Sequence, residues 1–131
     1  MEKIRKKYIC KKQVKKGISG SKEILKFFKE GTSIALMIDQ RVSEGIKSNF
    51  FNREASTTTI PAQLVKKFNI AIVPIYIERL KNINFKITVN QPLYFDKNST
   101  TDSITSKLNR ILEKMIMKNP SQWIWTHNRW K

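Results

Sequence analysis

The sequence predicts an α/β fold in which helices flank a small mixed sheet, and three observations carry that prediction. An amphipathic segment ends at Gly31 and runs straight into the apolar stretch Ser33 to Ile38, the pattern of a helix, a tight turn and a buried strand. A second all-apolar stretch, Ala71 to Ile77, precedes the alternating segment Phe85 to Val89, which reads as a strand returning antiparallel. A long segment after Asp102 then repeats apolar residues at helical spacing.

The first 20 residues are a basic lead-in with scattered apolar positions, and they suggest a short helix interrupted at Gly17 to Ser21. Residues 21–131 read as the α/β core with a Trp-rich tail. Ser21 caps a helix through Glu30 in this reading, with Ile24, Leu25, Phe27 and Phe28 on one face and Gly31 as its stop. Asp39 to Thr59 shows neither period and reads as a long irregular loop, a type of segment that is usually a binding element or a lid. Pro61 suits the first turn of a helix to Phe68, which Asn69 can end in the left-handed conformation. Pro74 has no N–H for a ladder, so an edge or bulge is expected there. Lys81 to Asn84 is a turn. The last helix is expected to start at Asp102, to bury Ile104, Leu108, Ile111, Leu112, Met115 and Ile116, and to stop at Asn119-Pro120.

The formal net charge is +16 over 131 residues, which directs attention to polyanionic partners. Lys, Ile and Asn rise together, so composition and function are competing sources of that charge. The N-terminal third carries about half of it, enough to meet anionic headgroups or an acidic carrier protein. A basic module binding anionic membrane or nucleic acid without catalysis is the alternative reading. No aromatic RNA-binding pattern, helix-turn-helix spacing or GXXG loop accompanies the charge, and no nucleic acid is expected. Cys10 is the single cysteine, so neither an internal disulfide nor a Cys/His zinc site is expected. The start lacks the apolar core of a signal peptide. The longest apolar stretch, Ile70 to Ile77, falls well below the ~20 residues of a spanning helix.

Several residues are candidates for chemistry. Asp39, Gln40 and Arg41 follow the first apolar stretch, where open α/β sheets collect ligands, although Asp39 also suits a plain turn. Arg41 and Arg53 are placed to clamp a phosphate across the loop. The tail from Asn119 to Lys131 holds all 3 tryptophans, Trp123, Trp125 and Trp130, with His127, Arg129 and Lys131. Tryptophan favours sites that are apolar on one side and wet on the other. Trp125, Arg129 and Trp130 are thus candidates for membrane contact, while Trp123 reads as an anchor of the chain end. His127 could serve as a general base, but nothing in the sequence pairs it with a nucleophile and a carboxylate, and a structural role is the better reading.

Taken in order, Ile38-Asp39-Gln40, Asn49-Phe50-Phe51, Ala55 to Thr59 leading into Pro61-Ala62, Ile72 to Leu80 (IVPIYIERL) and the tail NPSQWIWTHNRWK resemble the bacterial lipid A biosynthesis acyltransferases, the late lauroyl and myristoyl transferases. The tail is the most specific element. The resemblance implies part of a glycerolipid-acyltransferase-like domain. It also implies acyl transfer from acyl carrier protein to a hydroxyl of a phosphorylated lipid A precursor, at the cytoplasmic face of the inner membrane, with no cofactor. Asp39, Gln40 and Arg41 would line the site floor, and Arg53 and Arg79 would meet substrate phosphate. Family members abstract the acceptor proton with a His-x4-Asp/Glu motif. No histidine of this sequence has that spacing, so the segment is expected to be the C-terminal part of the domain, truncated and inactive alone. Asn52 stands where a glycine is usual after Phe-Phe, which puts the local turn in question.

Overall fold

The computed structural model describes residues 2–14 and 18–131. The chain divides into two compact units, residues 1–36 and 37–131.

In the first unit, helix α1 (Glu2–Tyr8) precedes helix α2 (Ile18–Lys29). α2 begins earlier than Ser21, and the expected break at Gly17 lies outside the described residues. Its C-terminus forms a Schellman cap: Gly31 takes φ 75° and donates to the Phe28 carbonyl at 2.9 Å, and Thr32 donates to that of Phe27 at 3.0 Å. Ile24 is buried, and Leu25, Phe27 and Phe28 are half-buried. The Lys12 ammonium lies 4.7 Å from the Phe27 ring and donates to Thr32 Oγ1 at 3.1 Å.

The second unit contains β1 (Ile46–Phe50), β2 (Arg53–Thr57), α3 (Ile60–Phe68), β3 (Ile75–Arg79), β4 (Phe85–Val89) and α4 (Thr101–Lys118), followed by a 3-10 turn at Pro120–Gln122. The α/β class holds. The sheet is divided rather than mixed: among the described residues β1 pairs with β2 alone and β3 with β4 alone, both antiparallel.

Helix α4 is the spine. With α3 it builds one core from Ala62, Val65, Ile104 and Leu108, against which Ile38, Ile70, Ile72, Leu93 and Phe95 pack. Toward its C-terminus Ile116 joins Phe50 and Ala55 in a second core, completed by Phe51, Leu112, Trp123 and Trp130. Thr100, not Asp102, caps α4, accepting from the Ser103 N–H at 3.1 Å. α3 runs as expected from the Pro61 turn to Phe68, and Asn69 closes it at φ 51° and ψ 45°.

Three expectations are corrected. Ser33 to Ile38 is irregular, with Ile34, Leu36 and Ile38 half-buried. A strand needs a ladder partner, and none of the described strands pairs with this segment. The supposed loop Asp39 to Thr59 contains the β1–β2 hairpin. Its inward positions are Ser48, Phe50, Ala55 and Thr57, and small polar residues inside hide the alternation that a strand reading relies on. Its turn has positive φ at both Phe51 (51°) and Asn52 (58°), as two-residue hairpin turns demand, and asparagine tolerates this where glycine is usual. Phe51 is an uncommon residue there; its N–H donates to Glu113 Oε1 on α4 at 2.8 Å, which fixes the turn. Finally, the strand expected over Ala71 to Ile77 starts only at Ile75. Ile72 instead makes an isolated bridge to Leu93, exchanging hydrogen bonds of 3.0 and 2.8 Å. Pro74 between them has no N–H to continue a ladder, while its carbonyl accepts from the Asn90 backbone and side chain, both at 3.0 Å.

Gly45 enters the hairpin where only a glycine fits. A β-carbon there would stand 2.4 Å from the Thr57 carbonyl oxygen and 2.7 Å from Val42 Cγ2. Backbone cannot yield as a side-chain tip can, so Gly45→Ala is expected to cost about 1–3 kcal/mol. Equilibrium denaturation checks this: an unchanged midpoint would show that the approach is not tight.

Candidate functional site

Under the β1–β2 hairpin lies a polar cluster that the tail completes. Thr57 Oγ1 donates to the Ala55 carbonyl at 3.0 Å and accepts from Asn109 Nδ2 at 3.3 Å and from Arg129 Nη2 at 3.0 Å. Asn109, on α4, also donates to the Asn49 carbonyl at 3.0 Å. Ser48 Oγ and Ser106 Oγ lie 3.3 Å apart beside them. Arg129 Nη1 donates to the Ser56 carbonyl, and its guanidinium carbon sits 5.3 Å from the Phe50 ring centroid. Thr57, Asn109 and Arg129 are 2%, 0% and 0% exposed.

Arg129 is therefore corrected from a surface cation to a buried one. Its fork matches two acceptors on one strand, the geometry for which arginine is suited. Burial lowers its pKa from the ordinary range, since desolvation penalises the charged form, while the negative charge of Asp39 acts in the opposite direction. Asp39 thus lies near Arg129. Asp39 Oδ1, Asn109 Oδ1 and Arg129 Nε are buried without a hydrogen-bond partner among the described residues.

The other expected site residues disperse. Gln40 and Arg41 follow Asp39 into solvent. Arg53 is exposed at the turn end of the hairpin, 5.7 Å from the Trp130 ring. The loop expected to let Arg41 and Arg53 converge is thus a hairpin, with Arg53 at its closed end and Arg41 leading to its open end. Arg79 lies on the other hairpin, stacked at 5.0 Å over Phe85; Gln122 Oε1 accepts from its N–H at 2.8 Å and Gln122 Nε2 donates to its carbonyl at 2.6 Å. Trp130 is half-buried and donates its indole N–H to the Phe50 carbonyl at 2.9 Å. Trp123 packs edge-on at 5.8 Å from Phe50, the anchoring role expected of it. Trp125 keeps 49% of its surface in solvent while bonding the Pro120 carbonyl at 2.8 Å. His127 is exposed, and its ring makes no hydrogen bond among the described residues.

Sequence reasoning missed Ser48, Thr57, Asn109 and Glu113. A signal existed for the helical ones: Thr105, Asn109 and Glu113 recur every fourth residue along α4, a polar line beside its apolar stripe. For the strand residues there was none, because a Thr or Ser at a strand position is equally at home in solvent.

Among the described residues, no group of His, Cys, Asp or Glu is placed to hold a metal ion, and no helix is long and apolar enough to cross a membrane. Comparison with curated proteins finds no match. A family model described as bacterial lipid A biosynthesis acyltransferase matches residues 5–131. That match takes in Asp39, both hairpins, α4 and the tail that closes the polar cluster, and the chain belongs to the bacterial lipid A biosynthesis acyltransferase family.

Proposed function

We propose that this chain forms the acceptor side of a lipid A acyltransferase: it holds a phosphorylated glucosamine lipid, while acyl carrier protein delivers the acyl group at an anionic inner-membrane surface. The family's reaction class supports acyl transfer. The observation that carries the acceptor role is the placement of Asp39, Gln40 and Arg41. A carboxylate oxygen of Asp39 is drawn inside near Arg129, and the next two side chains are presented to solvent from that fixed point. A guanidinium and an amide so presented suit phosphate and sugar hydroxyls. The net charge of +16 suits both an acidic carrier protein and anionic lipid.

In this reading the chain does not itself abstract the acceptor proton. His127, the single histidine of these 131 residues, is exposed, and its ring has none of the orienting hydrogen bonds of a general base among the described residues. The 131-residue chain incubated with acyl carrier protein donor and lipid A precursor is expected to give no turnover; turnover would overturn this part of the proposal. Direct binding of the phosphorylated precursor tests the rest. Arg41→Ala is expected to weaken it about tenfold, the loss of one charge-assisted phosphate contact. Equal affinity in the variant would remove Arg41 from the site.

A further inference from the structure

The β3–β4 hairpin turns an apolar face to solvent. Its register pairs Ile75 with Val89, Ile77 with Ile87 and Arg79 with Phe85 on one side. The five apolar members of these pairs are each 53–64% exposed. The opposite side, with Tyr76, Glu78 and Thr88, is half-buried and fastened to the end of α4 and the following turn. Lys118 lies 5.5 Å from the Tyr76 ring, Asn119 Nδ2 donates to Glu78 Oε1 at 3.5 Å, and the Gln122 amide holds both backbone groups of Arg79. The face is thus presented on a supported arm. A contiguous apolar patch of this kind marks an interaction surface.

Charge and rim select the occupant. Arg79 lies on the apolar face and Lys81 in the turn at its end, while Lys86 pairs with the one acid, Glu78, on the far side, where Asn119 engages Glu78. Gln122 shares an open groove with Ile77, Arg79 and Phe85, so the turn leading to half-exposed Trp125 borders the face. An apolar centre that includes the aromatic Phe85, with cations at its end, is the composition of a bilayer interface contact. A second copy of the chain would have to meet another +16 molecule.

We propose that the β3–β4 hairpin is a membrane-docking element, which sinks Ile75, Ile77, Ile87 and Val89 into the interfacial layer of an anionic bilayer while Arg79 and Lys81 meet lipid phosphates. The inference deepens the reading that the chain works at an anionic membrane, and rests on it.

Co-sedimentation of the full chain with phosphatidylglycerol–phosphatidylcholine vesicles tests it, with phosphatidylcholine vesicles as the uncharged comparison. The wild type is expected to bind the anionic vesicles at low salt and more weakly at high salt. The charge-neutral double variant Ile77→Ser, Ile87→Ser is expected to bind about tenfold or more weakly. These positions are exposed, so folding is expected to survive, and circular dichroism checks it. A second measurement is independent of that variant. An environment-sensitive fluorophore on Ile87→Cys, in a Cys10→Ser background, shifts to the blue when vesicles are added, and the same label on Lys86→Cys shifts less. If anionic vesicles bind the double variant as well as the wild type and the Ile87 label stays in water, the docking face is wrong while the membrane reading stands. If the wild type ignores anionic vesicles, both fall. A blue shift that needs protein concentration rather than vesicles would show self-association and overturn the proposal.

Discussion

Arg129→Ala is expected to destabilise the unit formed by residues 37–131 by about 3–5 kcal/mol, from the cavity left by a fully buried side chain and the buried acceptors it abandons. The side chain has no exposed surface, and it ties the tail to β2 through the Ser56 carbonyl and Thr57 Oγ1. Truncation leaves a carbonyl, a hydroxyl and the Asp39 carboxylate poorly compensated, and it opens a cavity beside Phe50. Arg129→Lys keeps a charge but not the two-pronged donor set, and is expected to lose about 2 kcal/mol. The sign of the pH effect follows from the lowered pKa. The folded state holds this proton less tightly than the unfolded state, so the group's own titration opposes folding at lower pH, and the opposition lifts only as pH rises through the guanidinium range. Arg129 therefore contributes no pH slope near neutrality, and the loss in the variant is expected to be the same there at each pH. Urea denaturation followed by tryptophan fluorescence measures it; a loss below about 1 kcal/mol would mean that the tail is not held by this residue.

Phe50→Ala is expected to cost about 3–5 kcal/mol. Phe50 is fully buried and is the ring on which the second core converges. Phe51, Trp123 and Trp130 surround it at 4.9, 5.8 and 5.7 Å, and the Arg129 cation lies over it at 5.3 Å. Aromatic contacts add to the cost of lost area. The same substitution is expected to red-shift the fluorescence of Trp123 and Trp130 by admitting water. A marginal change in both stability and emission would show that the tail packs without this ring.

These two effects meet at a place that the sequence reading handled unevenly. Gly31 as a helix stop, Pro61 opening α3 and Asn69 closing it were legible because each is a local conformational demand met by a particular residue type. The α4 stripe was legible because its apolar residues recur at helical period along 18 residues. The β1–β2 hairpin was not. Its inward residues include Ser48 and Thr57, whose burial is offset by distant partners, Ser106 for Ser48 and Asn109 and Arg129 for Thr57, 58, 52 and 72 residues away. The candidate site shows the same division. Asp39, Gln40 and Arg41 stand out as polar residues after an apolar run, but nothing near them in sequence announces that Asp39 lies near Arg129.

The sequence by itself determined the α/β class, the ends of α3 and the family, because these depend on residue type and on spacing along the chain. Only the tertiary structure decided which cations are available. Arg129 reads like its neighbour Lys131, yet one is sealed beneath a hairpin and the other lies in solvent. The physical reason is that burial of a charge depends on acceptors gathered from distant segments, here Ser56 and Thr57, and no local pattern encodes that gathering.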